Sequence, residues 1–406
     1  MGRFIVIVLD GFGVGYMEDT AVVRPADMGA DTWRHIAAST PGLSLPRLEE
    51  LGLMNIAGFE TDTMRLSPTA TWSKAALTHQ GADTFWGHQE IMGTRPRKPV
   101  EEPFAVRLES TKAALEQAGF RVEVHTAPQG GRLLVVNSAV TVADNIECDP
   151  GQAVNVTAAI DDIAFEDVLK IGRIVRGQVF VSRVIAFGGR GVHLPRMLAA
   201  IEENPAASLI GVNAPASGVY NDDYHCVHMG YGVDAATQVA TILPSHGVPV
   251  FLVGKVADIV ENPQPSHSYS IVPTPEVMAK TLELIVHDPN SFICTNVQET
   301  DLCGHRENVA EYVRILKEAD AGLIPILDAM SPDDILVVMA DHGNDPTIGH
   351  PHHTREYVPL MVRGGSLRPG PFPLRATLSD VGATVADYFG APAPENGTSF
   401  LPDLLR

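Results

Sequence analysis

The chain has 406 residues, 45% hydrophobic and 19% charged, enough for a large core and for two domains, since single cores rarely grow past about 250–300 residues. Its 29 basic and 49 acidic residues leave a net charge of -20, which argues against nucleic acid or an anionic membrane as a partner, because both attract basic patches. Cys148, Cys226, Cys294 and Cys303 lack CxxC spacing and read as reduced thiols; no apolar run approaches the roughly 20 residues of a membrane span, and the N-terminus enters a strand without a signal-like region, so a soluble, cytoplasmic protein is expected.

In chain order, the apolar run Phe4–Leu9 reads as a buried parallel strand ending at Asp10-Gly11-Phe12-Gly13-Val14-Gly15. The glycine spacing does not fit a dinucleotide fingerprint. Asp10 is therefore read as a ligand on a strand end, with a plain turn former as the other reading. Residues 45–51 predict a short helix stopped near Gly52. In Gly81-Ala82-Asp83-Thr84-Phe85-Trp86-Gly87-His88-Gln89-Glu90, a hydroxyl stands where a helix can begin. Backbone N–H groups and the helix dipole there favour a phosphoryl group, although from this segment alone the reading of Asp83 or Thr84 as only a cap comes first.

The prolines and charges of residues 94–99 read as a hinge. Residues 98–225 then predict an inserted α+β cap domain, with helices near 105–119 and 165–176 and strands near 121–124, 133–136 and 179–186. Residues 213–218 are expected near the return hinge. The core, residues 1–97 and 226–406, resumes with a helix at 238–246, a strand at 248–256 carrying Lys255, a helix at 273–286 and the strand Phe292–Val297. That strand leads into Gln298-Glu299-Thr300-Asp301-Leu302-Cys303-Gly304-His305-Arg306. The run 335–340 precedes Asp341-His342-Gly343-Asn344-Asp345, and His353 follows before a strand at 358–362. This alternation predicts an α/β fold with a doubly wound, mostly parallel sheet.

Asp10, Thr84, Asp301, His305, Asp341, His342 and His353 thus all fall after expected strands or at helix starts, where ligands gather in such sheets. Oxygen and imidazole donors in this number can hold two divalent cations of the manganese class, and two cations can polarise a phosphoryl group and activate a hydroxyl. His225 and His228 read as hinge or surface residues, His350 and His352 as loop residues, and Cys303 as packing.

On these residues the chain resembles the phosphopentomutases, of the alkaline phosphatase superfamily that includes cofactor-independent phosphoglycerate mutase. The resemblance rests on residues 9–15, Asp83-Thr84 with Gly87-His88-Gln89-Glu90, residues 253–259, residues 341–347 and residues 353–359. It implies an alkaline-phosphatase-like core with a cap that closes over the sugar. One metal would be held by Asp10, Asp341, His342 and Thr84, the other by Asp301, His305 and His353, with manganese favoured over magnesium or zinc. Thr84 would be the catalytic residue that carries phosphate between turnovers of a sugar monophosphate such as ribose 1-phosphate, with a sugar bisphosphate as activator. Asp83, His88, Lys255 and Arg355 would bind substrate or support the ligands.

The chain departs from the family at Ala82, where a lysine is usual, and at Gln89, where a tryptophan is usual. Asp301 and His305 are four residues apart rather than five. An Arg-rich phosphate clamp is replaced by residues 214–223, whose acids would repel a phosphate dianion. These departures imply a divergent branch. The alternative activity on the same core is a phosphatase, phosphodiesterase or phosphonate hydrolase; a non-catalytic metal-binding protein is disfavoured because every ligand type is present.

Overall fold

The computed structural model describes residues 2–148 and 150–405. They form two compact units, one running to Pro96 and resuming at Asp234, the other being Arg97–Val233. No helix among the described residues is long and apolar enough to cross a membrane.

The first unit is built on an eight-stranded sheet with Phe4–Leu9 near its middle, between Phe292–Val297 and Ile335–Met339. Both neighbours run parallel to it, with Leu9 level with Val297 and Val8 level with Met339. All three strands are buried along their whole length, as the unbroken apolar runs of Phe4–Leu9 and Ile335–Met339 require when both faces are covered, and Phe292–Val297 buries the polar Thr295 and Asn296 as well. Val250–Val253 extends the parallel set beyond Phe292–Val297. On the other side Val358–Gly364 runs antiparallel to Ile335–Met339 and to Thr71–Ala75. The carboxyl ends of the parallel strands therefore share one edge, and the start of Val358–Gly364 meets them there.

Several expected boundaries move. The strand expected at 248–256 stops at Val253, because Gly254 turns at φ +83, where a Cβ would lie 2.3 Å from the Asn296 carbonyl. Lys255 thus leaves the sheet and precedes the short helix Val256–Ile259. The segment after Phe292–Val297 is a helix, Glu299–His305.

The second unit carries a six-stranded sheet in which Ala153–Ala159 and Arg183–Gly189 pair in parallel and the remaining neighbours antiparallel. Helices Leu108–Gln117 and Phe165–Arg176 supply Leu108, Leu115, Val168, Ile171 and Val175 to its core. His225–Gly230 is a strand of this sheet, paired with Arg183–Gly189, so the units divide at Val233 rather than at the expected 225. Residues 213–218 likewise lie inside this unit, with Ala214–Ser217 forming one helical turn capped by Asn213 rather than a hinge.

One acid of the stretch after that turn, Asp223, is ion-paired. Arg190 Nε lies 2.7 Å from Asp223 and its NH1 2.9 Å from Asp161, and His225 Nε2 is 3.1 Å from Asp223.

Asp144 is buried at the end of the strand Val140–Asp144, accepting from Phe104 N at 2.7 Å and Ile210 N at 3.0 Å. Burial outweighs these bonds and pushes its carboxyl up to about 6. The native chain then keeps a proton that the unfolded chain, with its ordinary value of 3.8, releases. The stabilisation is full below the unfolded value and is lost as pH rises through the folded one, on the order of 3 kcal/mol in all. Asp144→Asn is expected to flatten the fall in chemical-denaturation stability across that window; a slope equal to wild type would show that Asp144 ionises alike in both states.

Candidate active site

Asp10 follows the strand Phe4–Leu9, Asp341 and His342 follow Ile335–Met339, and both acids are fully buried. Asp301 and His305 lie four residues apart on the helix Glu299–His305 and so share one face. Thr300, one position earlier, points away: its hydroxyl donates to Asp10 O at 2.6 Å and Val297 O at 2.9 Å. The four-residue offset therefore presents Asp301. His353 enters from the loop before Val358–Gly364.

These residues gather into two clusters, Asp10 with Asp341 and His342, and Asp301 with His305 and His353, the donor atoms of each lying within 4.8 Å of one another. The His342 and His353 rings stack with centroids 4.0 Å apart, which sets the clusters side by side.

The hydrogen-bonding logic of the imidazoles tests whether a cation fits. His342 Nδ1 is 2.9 Å from Gly343 O, His353 Nδ1 2.7 Å from Ala82 O, and His305 Nδ1 2.7 Å from Pro351 O. A carbonyl only accepts, so each Nδ1 carries the proton and each Nε2 offers a lone pair. His342 Nε2 is buried without a hydrogen-bond partner, 3.3 Å from Asp10 Oδ1 and 3.4 Å from Asp341 Oδ2. His305 and His353 bring their Nε2 atoms to 3.0 Å of each other, and each is within 3.3 Å of an Asp301 oxygen. Lone pairs facing carboxylates and one another need positive charge between them. Borderline nitrogen and hard oxygen donors together suit a divalent transition cation in each cluster.

The side-chain ionisations express the same demand. Burial pulls the His342 imidazole down, yet Asp341, Asp10 and Asp301 push it up to about 10. Burial also opposes the Lys255 charge, but Asp10, Asp301 and Asp341 hold its ammonium above the usual range. Lys255 Nζ bridges the clusters, 3.1 Å from Asp10 and 3.4 Å from Asp301. Burial opposes the charges of Asp341 and Asp301 as well, but His342, His88 and Lys255 beside Asp341, and His305, His353 and His342 beside Asp301, hold both below the ordinary carboxylate value.

Thr84 is the first residue of the helix Thr84–Ile91, and Asp83 is its cap, accepting from Trp86 N at 3.1 Å. The acid thus caps the helix, and the hydroxyl next to it faces the first cluster. Thr84 Oγ1 donates to Asp341 Oδ2 at 2.7 Å and lies 3.5 Å from Asp10 Oδ1. The approach depends on Gly87, whose added Cβ would lie 2.6 Å from Asp341 O and 2.8 Å from Asp341 Cβ. His88 is buried behind Thr84, with Nδ1 2.9 Å from Thr84 O and 3.2 Å from Asp341 Oδ2.

Arg355 does not face the clusters. Its guanidinium donates to the carbonyls of Leu77, His79 and Gly81 and to Asp19. Gln89 is buried and structural, donating to Ile259 O at 2.6 Å and accepting from Gln238 at 2.6 Å. Cys303 joins no cluster, and burial pushes its thiol up to about 12.

Two asparagines escaped the sequence reading. Asn296 donates to Asp10 Oδ2 at 2.9 Å and to His88 Nε2 at 3.0 Å, and Asn344 donates to Asp301 Oδ1 at 2.8 Å. A polar residue next to the end of an apolar strand was the available signal for Asn296. Gly87→Ala is expected to press the helix off Asp341, costing about 1–3 kcal/mol by overpacking against backbone that cannot yield. Urea denaturation reads this, and unchanged stability would mean the helix has room to shift.

A family profile described as the Metalloenzyme superfamily matches residues 2–393. The phosphopentomutase of Desulfitobacterium hafniense is 30% identical over 421 residues, covering 100% of both chains. That of Symbiobacterium thermophilum is 29% identical over 422 residues, covering 100% of this chain and 99% of its own. Among solved structures, phosphoglycerate mutase of Leishmania mexicana aligns with a TM-score of 0.48 at 13% identity, over 98% of this chain and 96% of that one. The chain belongs to the metalloenzyme superfamily and, within it, to the phosphopentomutase family of phosphoryl-transferring isomerases.

Proposed function

We propose that the protein is a phosphomutase that moves phosphate between positions of a sugar monophosphate, such as ribose 1-phosphate to ribose 5-phosphate, through phospho-Thr84. The observation that carries this reading is the Thr84 hydroxyl, at a helix start, donating to Asp341 at 2.7 Å beside both donor clusters. Divalent cations, manganese by preference, would be held by Asp10, Asp341, His342 and Thr84 and by Asp301, His305 and His353; they would neutralise phosphoryl oxygens and lower the pKa of the hydroxyl.

The chain's own groups supply the positioning, which is most of what phosphoryl transfer needs. Asp341 aims Thr84 Oγ1, and the first N–H groups of the helix favour the anion that forms on it. In the transfer, Thr84 Oγ loses its proton and bonds to phosphorus while the bond from phosphorus to a sugar bisphosphate oxygen breaks, and that oxygen takes up a proton. Phospho-Thr84 then gives the group to the free hydroxyl of a sugar monophosphate, which loses its proton as the Oγ–P bond breaks and Thr84 Oγ is reprotonated; the bisphosphate so formed reorients and returns its other phosphate to Thr84 in the same way, leaving the isomeric monophosphate. Lys255 is anchored to Asp10 and Asp301 with its charge intact, so it can meet a phosphoryl oxygen between the clusters. A cytoplasmic location fits Cys226, Cys294 and Cys303, which form no disulfide among the described residues.

Manganese-loaded protein, given a panel of sugar monophosphates with and without a sugar bisphosphate, is expected to form isomer without free phosphate. Free phosphate alone would assign the core to hydrolysis instead. Thr84→Ala should abolish turnover while retaining most bound metal, and substantial residual activity would remove the phospho-threonine route. Asp341→Asn is expected to lower the manganese retained per chain after dialysis; wild-type stoichiometry would take Asp341 out of the ligand set.

A further inference from the structure

Residues 77–83, which deliver Thr84, belong to no helix or strand, yet their backbone is held on both sides. The carbonyls of Leu77, His79 and Gly81 accept from Arg355 at 3.0, 2.8 and 2.6 Å, and that of Ala82 accepts from His353 Nδ1 at 2.7 Å. The amides face Glu90, a fully buried carboxylate farther along the Thr84 helix. Glu90 accepts from Thr78 N at 3.1 Å, His79 N at 3.2 Å, Thr377 Oγ1 at 2.6 Å, Leu378 N at 3.0 Å and the Thr78 hydroxyl. Burial opposes its charge, but His79, Thr377 and Thr78 hold the carboxyl below the usual range.

The last partner of Glu90 is the buried ring of His79, with Nδ1 at 2.9 Å from Oε2. A carboxylate that accepts from this many donors is itself an acceptor, so Nδ1 carries the proton and Nε2 is a lone pair. That lone pair accepts the N–H of Asp83 at 3.3 Å. Asp83 caps the helix and immediately precedes Thr84, so the ring holds the Ala82–Asp83 peptide, one residue before the hydroxyl. A helix carboxylate thus folds back on its own entry loop through one imidazole.

We propose that His79, oriented by Glu90, is a positioning residue that sets the Thr84 hydroxyl on Asp341 by accepting the Asp83 N–H. The proposal rests on the reading of Thr84 as the phosphoryl carrier. A buried pair serving only to pack the loop would depend on ring volume and on the bond to Glu90. A positioning role depends on the acceptor at the ε position, and two substitutions separate these. His79→Asn keeps a donor for Glu90 and removes the acceptor from Asp83. His79→Gln reaches the ε position with an amide oxygen.

His79→Asn is expected to lower kcat by at least about tenfold with KM nearly unchanged, as small misplacements of reacting groups do. It should also speed amide hydrogen exchange at Asp83 in the metal-free protein, a readout independent of turnover. His79→Gln should restore both. Glu90→Gln, which loosens the ring without removing it, should lower kcat in the same selective way and serves if the asparagine variant does not fold. Asparagine and wild type alike in kcat and exchange, or glutamine as impaired as asparagine, would overturn the proposal. Thr84→Ala in the same assay separates the two claims: activity retained there removes the carrier, whereas a dead Thr84→Ala with a normal His79→Asn removes only the positioning.

Discussion

Three carboxylates, Asp10, Asp301 and Asp341, are brought almost completely out of water within one small volume. Like charges in a low-dielectric setting repel strongly, and desolvation penalises each of them besides. The fold meets this cost with everything nearby that can bear or direct positive charge. Lys255 bridges two of the acids, and the three imidazoles are turned by carbonyls so that their Nε2 atoms face inward. Asn296 and Asn344 orient individual carboxylate oxygens. What remains is a donor arrangement short of charge, the condition under which a divalent cation is bound most strongly.

Because several parallel strands end on one edge, residues hundreds of positions apart arrive at this volume without long loops. The level register of Leu9 with Val297 and of Val8 with Met339 is enough to set Asp10 beside Asn296 and Asp341. The exception is Val358–Gly364, which runs the other way. Its reversal makes the residues before the strand, His353 and Arg355, available at the same edge, where one completes a donor cluster and the other grips the loop leading to Thr84.

Much of this was legible in the chain itself. Short apolar runs closed by Asp or by Asp-His mark buried strands with candidate ligands at their ends, and the runs Phe4–Leu9, Phe292–Cys294 and residues 335–340 carried the sheet. The parts that were not legible depend on contacts between distant residues. Gly254 ends a strand early because of a carbonyl on a neighbouring strand. The segment holding Asp301 is helical, which decides why position 301 rather than Thr300 faces the cluster. The acids near Asp223 looked repulsive until Arg190, more than thirty residues earlier, proved to lie against them. The pairing of Glu90 with His79 had no local signature at all, since a polar residue inside a helix reads as solvated unless its partner is known.

The central position of Phe4–Leu9 has a consequence for how the molecule comes into being. This six-residue apolar strand is synthesised long before both its neighbours, Phe292–Val297 and Ile335–Met339. A ribosome must pass through nearly three hundred residues before either flank exists. Until then the strand offers unpaired backbone and bare hydrocarbon on both sides, the kind of surface that invites wrong partners or chaperones. Long-range pairing of this sort is also slow, because distant ends must meet before any bond rewards them. The same arrangement that lets residue 10 and residue 353 share one charged volume therefore leaves the middle of that sheet waiting for the strands made long after it.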